Sequence, residues 1–106
     1  MAQRDLNECS GAEFRKADAE LNRVYTALME KLKNDAVATE NLKASERAWI
    51  NFRDAQMKAL HPHPDEEGSV HSMCWSLEMT ELTVQRKEML KRMLDPEDGD
   101  VCSYGS

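Results

Sequence analysis

All three prolines of this 106-residue chain stand at positions 62, 64 and 96. Proline lacks the backbone N–H that a helix interior uses, and it pushes the residue before it out of helical geometry. The run His61-Pro62-His63-Pro64 therefore forces a break, and Pro96 forces another. The long stretches before and between them are free of the strongest helix breaker. Glycine adds only four weaker points. Ala, Leu, Met, Glu, Lys and Arg, all good helix formers, dominate the composition. Val and Ile, the usual material of sheets, are scarce. The chain is expected to be all-α.

Hydrophobic spacing divides it into three helices. In the first, Phe14, Ala17, Leu21, Val24, Leu28 and Leu32 step by three and four, and Tyr25 and Met29 widen the stripe. Asp5-x-x-Glu8 and Ser10-x-x-Glu13 both have the pattern of a capping box, so this helix is expected from about residue 6 to 33. Asn34-Asp35 supplies the first break. The second helix, about 36–60, carries Ala38, Leu42, Ser45, Trp49, Phe52 and Ala59 at the same spacing. An acidic exposed loop, Pro64 to Gly68, follows. The third helix, about 69–94, opens at Ser69 as N-cap and has a broad apolar face built from Met73, Trp75, Leu77, Met79, Leu82, Met89, Leu90 and Met93. Residues 95–106 form a short acidic tail. Two short connections imply antiparallel neighbours, so the architecture is an up-down-up bundle of three long helices in a single domain, 1–106.

The formal net charge is −6, with no basic run. Nucleic acid and anionic membrane surfaces both reward clustered Lys and Arg, so neither is an expected partner. A cationic partner would be attracted. No apolar run approaches the ~20 residues that span a bilayer, which excludes membrane insertion. The start, Met1-Ala2-Gln3-Arg4-Asp5, has no apolar run behind it. The chain is thus either cytoplasmic or a mature form whose signal was removed.

Few residues offer chemistry. There is no Gly-x-Ser-x-Gly, no phosphate-cradling glycine loop and no activated nucleophile, so an enzyme is not expected. No cofactor is implied. Cys9, Cys74 and Cys102 form an odd set without a Cys-x-x-Cys pair. In an up-down-up bundle the starts of helices one and three share an end, which favours a Cys9–Cys74 disulfide over Cys9–Cys102. Three free thiols is the alternative in a reducing compartment. His61, His63, His71 and Cys74 are zinc-type ligands near one loop, which makes a metal-binding domain a minor alternative. The flanking prolines favour a simple turn, and no residue is assigned as a metal ligand. The methionines at helical spacing belong to the core more readily than to a binding groove.

The segment Arg47-Ala48-Trp49-Ile50-Asn51-Phe52-Arg53-Asp54 places an aromatic pair beside arginine on one helical face. It is a packing signature more than a site. Arg53 and Arg86, each at an apolar face, are expected to meet internal acidic partners such as Asp18 or Asp54, because a lone desolvated charge costs several kcal/mol.

Several fragments occur together in order: Leu6-Asn7-Glu8-Cys9; Ala17-Asp18-Ala19-Glu20-Leu21-Asn22 with Tyr25; Arg47-Ala48-Trp49-Ile50-x-Phe52-Arg53-Asp54-Ala55; Gly68-Ser69; and Leu82-Thr83-x-x-Arg86. In this spacing, from about Leu6 to Leu90, the chain resembles the lysozyme inhibitor LprI N-terminal-like family of bacterial exported proteins. The resemblance implies an all-helical fold, export to the periplasm or beyond, disulfides, and inhibition of lysozyme-like muramidases by protein–protein binding. Its pattern has cysteines where this chain has Met57 and Glu78. Many lysozymes are strongly basic, so an acidic inhibitor would be steered toward them. The expected contact is the loop from His61 to Gly68, through His61, His63, Asp65, Glu66 and Glu67. The alternative is a cell-envelope interaction module anchored by the Met-rich face of helix three and the aromatics of helix two.

Overall fold

The computed structural model describes residues 2–97. It contains three long helices, α1 (Gln3–Lys31), α2 (Ala36–Leu60) and α3 (His71–Leu94), and no strand among the described residues. Two single 3₁₀ turns, Pro64–Glu66 and Gly68–Val70, fill the connection between α2 and α3. The fold is the all-α, up-down-up bundle that the spacing predicts. Residues 98–106, which hold most of the expected acidic tail and Cys102, lie outside the described residues.

The termini of the helices differ in how they are held. α1 begins at Gln3, with Ala2 as N-cap and no side-chain cap. Neither expected capping box starts it: Asp5 lies in the first turn, and Ser10, buried inside the helix, donates its hydroxyl back to the Leu6 and Asn7 carbonyls. Asp35 caps α2 by accepting from the Ala38 amide at 3.0 Å. α2 ends where His61 meets Pro62, and α3 ends at Leu94 before Pro96. Ser69 does not cap α3; it sits in the second 3₁₀ turn. Gly68, ahead of it, has φ +71°, a conformation that costs an L side chain roughly 1–2 kcal/mol.

α1 and α3 run parallel and pack most intimately. The buried residues of α1 are Ser10, Ala17, Leu21 and Leu28; those of α3 are Ser76, Met79, Thr83, Arg86 and Leu90. Both sets repeat every seven residues; small side chains alternate with large ones on α3, and on α1 small Ser10 and Ala17 give way to Leu21 and Leu28. Small residues at the seam let two backbones approach, and the Cα atoms of the two helices come within 8 Å of each other. Phe14 of α1 meets Trp75 of α3 edge to face, with ring centroids 5.4 Å apart. At the far end Lys31 donates to the Met93 and Leu94 carbonyls, satisfying acceptors that every helix C-terminus leaves open. Between these points Lys87 reaches Glu20 at 3.3 Å. Burial alone would lower the Lys87 pKa, but the carboxylates of Glu88 and Glu20 outweigh it and raise it above the ordinary value.

α2 returns antiparallel across this pair. Leu42 joins Leu21, Leu28 and Leu90 in the buried core, with Trp49, Tyr25, Leu32 and Met93 packed around them. Its remaining inward positions are more polar, because Glu46 and Arg53 alternate with Leu42, Trp49 and Met57 along the face. That register turns Phe52 away from the core, where the stripe through Trp49 had been expected to place it; Phe52 is 54% exposed.

Candidate functional site

The titratable side chains that the sequence scatters over the α2–α3 connection gather in one cluster. Pro62 ends α2 and leaves His61 at its C-cap position, its side chain only 8% exposed. The 3₁₀ turn at Pro64–Glu66 then swings Glu67 back beneath the loop. His61 Nδ1 lies 2.7 Å from Glu67 Oε1, and His71 Nδ1, in the first turn of α3, lies 3.0 Å from the same oxygen. The two imidazole rings stand nearly perpendicular, with centroids 5.1 Å apart. On its other edge, His61 Nε2 makes a short hydrogen bond to Glu78, two turns along α3 from His71.

A ring nitrogen facing a carboxylate on each side favours the imidazolium. Burial by itself would lower the His61 pKa, but hydrogen bonds to Glu78 and Glu67 and their negative charges prevail and raise it above the ordinary 6.5. Glu67 shifts the opposite way. Its hydrogen bond to His71 leads, burial opposes, and the His61 bond and the two imidazole charges add, holding it below the ordinary 4.5.

This geometry sorts the expected contact residues. His63, Asp65 and Glu66 are exposed on the outside of the loop. His61 and Glu67 turn inward and brace the loop from below. Glu78 escaped the sequence reading, although its signal was present: it lies seven residues after His71, on the same helical face. His61–Glu78 ties the end of α2 to α3 close to buried Met57. Cys9 and Cys74 carry free thiols, and the expected bond between them is not formed. Cys9 sits one position, about 100° of helix, away from seam residue Ser10 and is exposed, which points its thiol off the α1–α3 seam.

Two clefts flank the cluster. One is lined by Gln3, Asn7, Arg15, Ser69 and Ser72, the other by Asp54, Met57, Lys58 and Pro64; His71 and Trp75 line both.

In the tryptophan–arginine segment an indole ring and two guanidinium groups pack together. Trp49 is half-buried, with the Arg53 and Arg86 guanidinium carbons 5.4 and 6.0 Å from its ring centroid. Arg53 donates to its neighbour Asp54 at 2.9–3.0 Å. Arg86 pairs with neither Asp18 nor Asp54. Its Nε donates to Glu46 at 2.9 Å and its Nη2 to Ser45 Oγ at 3.1 Å. Asp18 is half-buried on α1 and is not a partner of either arginine. Glu46 was missed, yet it is three residues before Trp49 and seven before Arg53, on the face those residues define. Of the methionines, Met79 is buried, Met73 and Met93 are half-buried, and Met89 alone of α3's is largely exposed, so the methionines of α3 are mostly interior, as their helical spacing led one to expect.

A small acidic helical bundle, with one short acidic loop propped on a histidine–carboxylate cluster, is the class that this fold and site define. No helix among the described residues is long and apolar enough to cross a membrane. The chain belongs to the lysozyme inhibitor LprI family, whose model matches residues 1–90. That is a family of inhibitors, not of enzymes. The chain is also similar to an uncharacterized protein of Rhizobium meliloti (strain 1021), 36% identical over 106 aligned residues, covering 90% of this chain and 76% of the relative. No solved structure matches it.

Proposed function

We propose that this protein inhibits a lysozyme-like muramidase by protein–protein binding outside the cytoplasm, and that it catalyses no reaction itself. Membership of the inhibitor family supports the reading, and the observation that carries it to a place is the α2–α3 loop. His63, Asp65 and Glu66 project there from a short turn whose underside is fixed by His61, Glu67, His71 and Glu78. A rigid projecting loop loses little conformational entropy on docking. Its two free carboxylates, on a chain of net charge −6, suit the cationic rim of a basic enzyme and would speed encounter. Export and the class of enzyme inhibited belong to the same proposal.

The test is a muramidase activity assay with the purified chain at low and moderate salt. Inhibition that weakens as salt rises is the expected result. Absence of inhibition at micromolar protein in both conditions overturns the reading. A second reading, an envelope interaction module, is favoured by exposed Phe52 on α2 and exposed Leu77 and Met89 on α3. It predicts that substituting these apolar residues with serine, and not changing the loop, abolishes partner binding.

A further inference from the structure

We infer that His61, Glu67 and His71 form a binding site for a single divalent transition-metal ion of the zinc class. One donor atom from each of the three lies within 4.8 Å of the other two. The ligands of a tetrahedral zinc stand roughly 3.3 Å apart, given Zn–N and Zn–O bonds near 2.0–2.1 Å. Glu67 Oε1 already lies 2.7 and 3.0 Å from the two Nδ1 atoms, so an ion would part these contacts slightly and hold the two nitrogens around it, which rotation of partly exposed Glu67 and His71 allows.

The donor set selects the ion. Two imidazoles and one carboxylate suit zinc and its borderline neighbours, whereas calcium and magnesium call for oxygen alone. Glu78 completes the arrangement from behind. It engages His61 Nε2, which leaves the Nδ1 lone pair for the side where Glu67 and His71 converge. A carboxylate on the far nitrogen of a ligating histidine is the usual outer partner of such sites. The charges agree as well: a divalent ion balances Glu67 and Glu78, a role that only a proton fills otherwise. His71 lines both clefts, so an ion has a path in and water can take the remaining coordination positions. The grouping differs from the one the sequence suggests, since neither exposed His63 nor Cys74 is part of the set. An ion here would clamp the end of α2, the loop and the start of α3 together.

The inference does not rest on muramidase inhibition, and its readout is separate. The full chain, without an affinity tag and stripped of metal, is titrated with zinc chloride at neutral pH in a calorimeter. One ion per chain, bound at micromolar concentration or tighter, is expected. His71→Ala and Glu67→Gln, each checked for unchanged helicity by circular dichroism, should weaken it at least tenfold, and Glu78→Gln by roughly tenfold. His63→Ala and Cys74→Ser should leave it unaltered. Cobalt substitution should give a visible spectrum without a thiolate charge-transfer band. Absence of saturable binding, binding undiminished in folded His71→Ala, or an equal loss in His63→Ala would each overturn the inference.

Discussion

Arg86 of α3 and Glu46 of α2 meet across the bundle at 2.9 Å, with side chains only 5% and 14% exposed. Ser45 Oγ accepts a second guanidinium N–H, and the Trp49 ring centroid lies 6.0 Å from the guanidinium carbon. This pair does for α2 what a run of leucines would do elsewhere. The face that α2 turns inward alternates polar with apolar residues, and the ion pair joins one of its polar positions to α3.

Removing one member should therefore be costly. Glu46→Ala strands a buried guanidinium and is expected to lower stability by about 3 kcal/mol, the low end for a broken buried pair. The double variant Arg86→Met with Glu46→Leu should recover most of that loss, since apolar replacement of a buried pair is often neutral or better. Urea unfolding of the two variants beside the parent checks both statements.

Thr83 lies in the α1–α3 seam at 0% exposure, and its hydroxyl oxygen has no hydrogen-bond partner. A buried polar atom left unpaired costs about 1–3 kcal/mol. Thr83→Val keeps the shape and deletes the orphan, so the variant should unfold at higher urea, by about 1 kcal/mol or more. An unchanged or lower midpoint would show that the hydroxyl is satisfied in solution.

The cluster beneath the loop should make stability depend on pH in the metal-free chain. His61 has a folded pKa above 6.5, so its contribution is complete below that value and fades as pH rises through the folded pKa. Glu67 has a folded pKa below 4.5, so its contribution is complete above that value and fades as pH falls through the folded pKa. Both are present between about 4.5 and 6.5. Urea midpoints measured in chelator should fall from this window toward alkaline pH, and His61→Gln should flatten that limb.

If the loop is the contact surface, reversing its outward charges should weaken inhibition without touching the fold. Asp65→Lys with Glu66→Lys is expected to slow association with a basic muramidase at least tenfold at low salt, with little effect at high salt. Both side chains are exposed, and surface changes of this kind usually alter stability by no more than ~0.5 kcal/mol. Stopped-flow association and a thermal melt together separate the two effects.

Much of the fold was legible because its punctuation is local. Asp35 announces the start of α2, and His61-Pro62 its end, through chemistry that acts within a few residues. The seam of α1 was legible as well, since Ala17, Leu21 and Leu28 repeat with the helix. What escaped depends on neighbours distant in sequence. Phe52 and Trp49 share a face on any helix, but only the partner helices decide which edge of that face is covered, and Glu46 and Arg53 claim the inner edge. Glu78 carried no sign in the sequence that the turn at Pro64 would bring His61 beside it. Glu67 looked like the natural companion of Glu66, yet the 3₁₀ geometry sends one outward and the other in.

The parallel pairing of α1 and α3 has a practical consequence for handling the molecule. Along its 48 Å length the first turn of α1 shares one pole with the loop, where Asn7 donates to the Ser69 carbonyl and Gln3 approaches Met73. The α1–α2 turn and Leu94 share the other, where Lys31 binds the last carbonyls of α3. A fluorophore, surface tether or polyhistidine sequence placed ahead of Gln3 would crowd the cleft beside His71, and the polyhistidine would also compete for any metal. The same attachment placed after Leu94 sits at the far pole and leaves the loop facing outward, which is the orientation an immobilised binding assay requires.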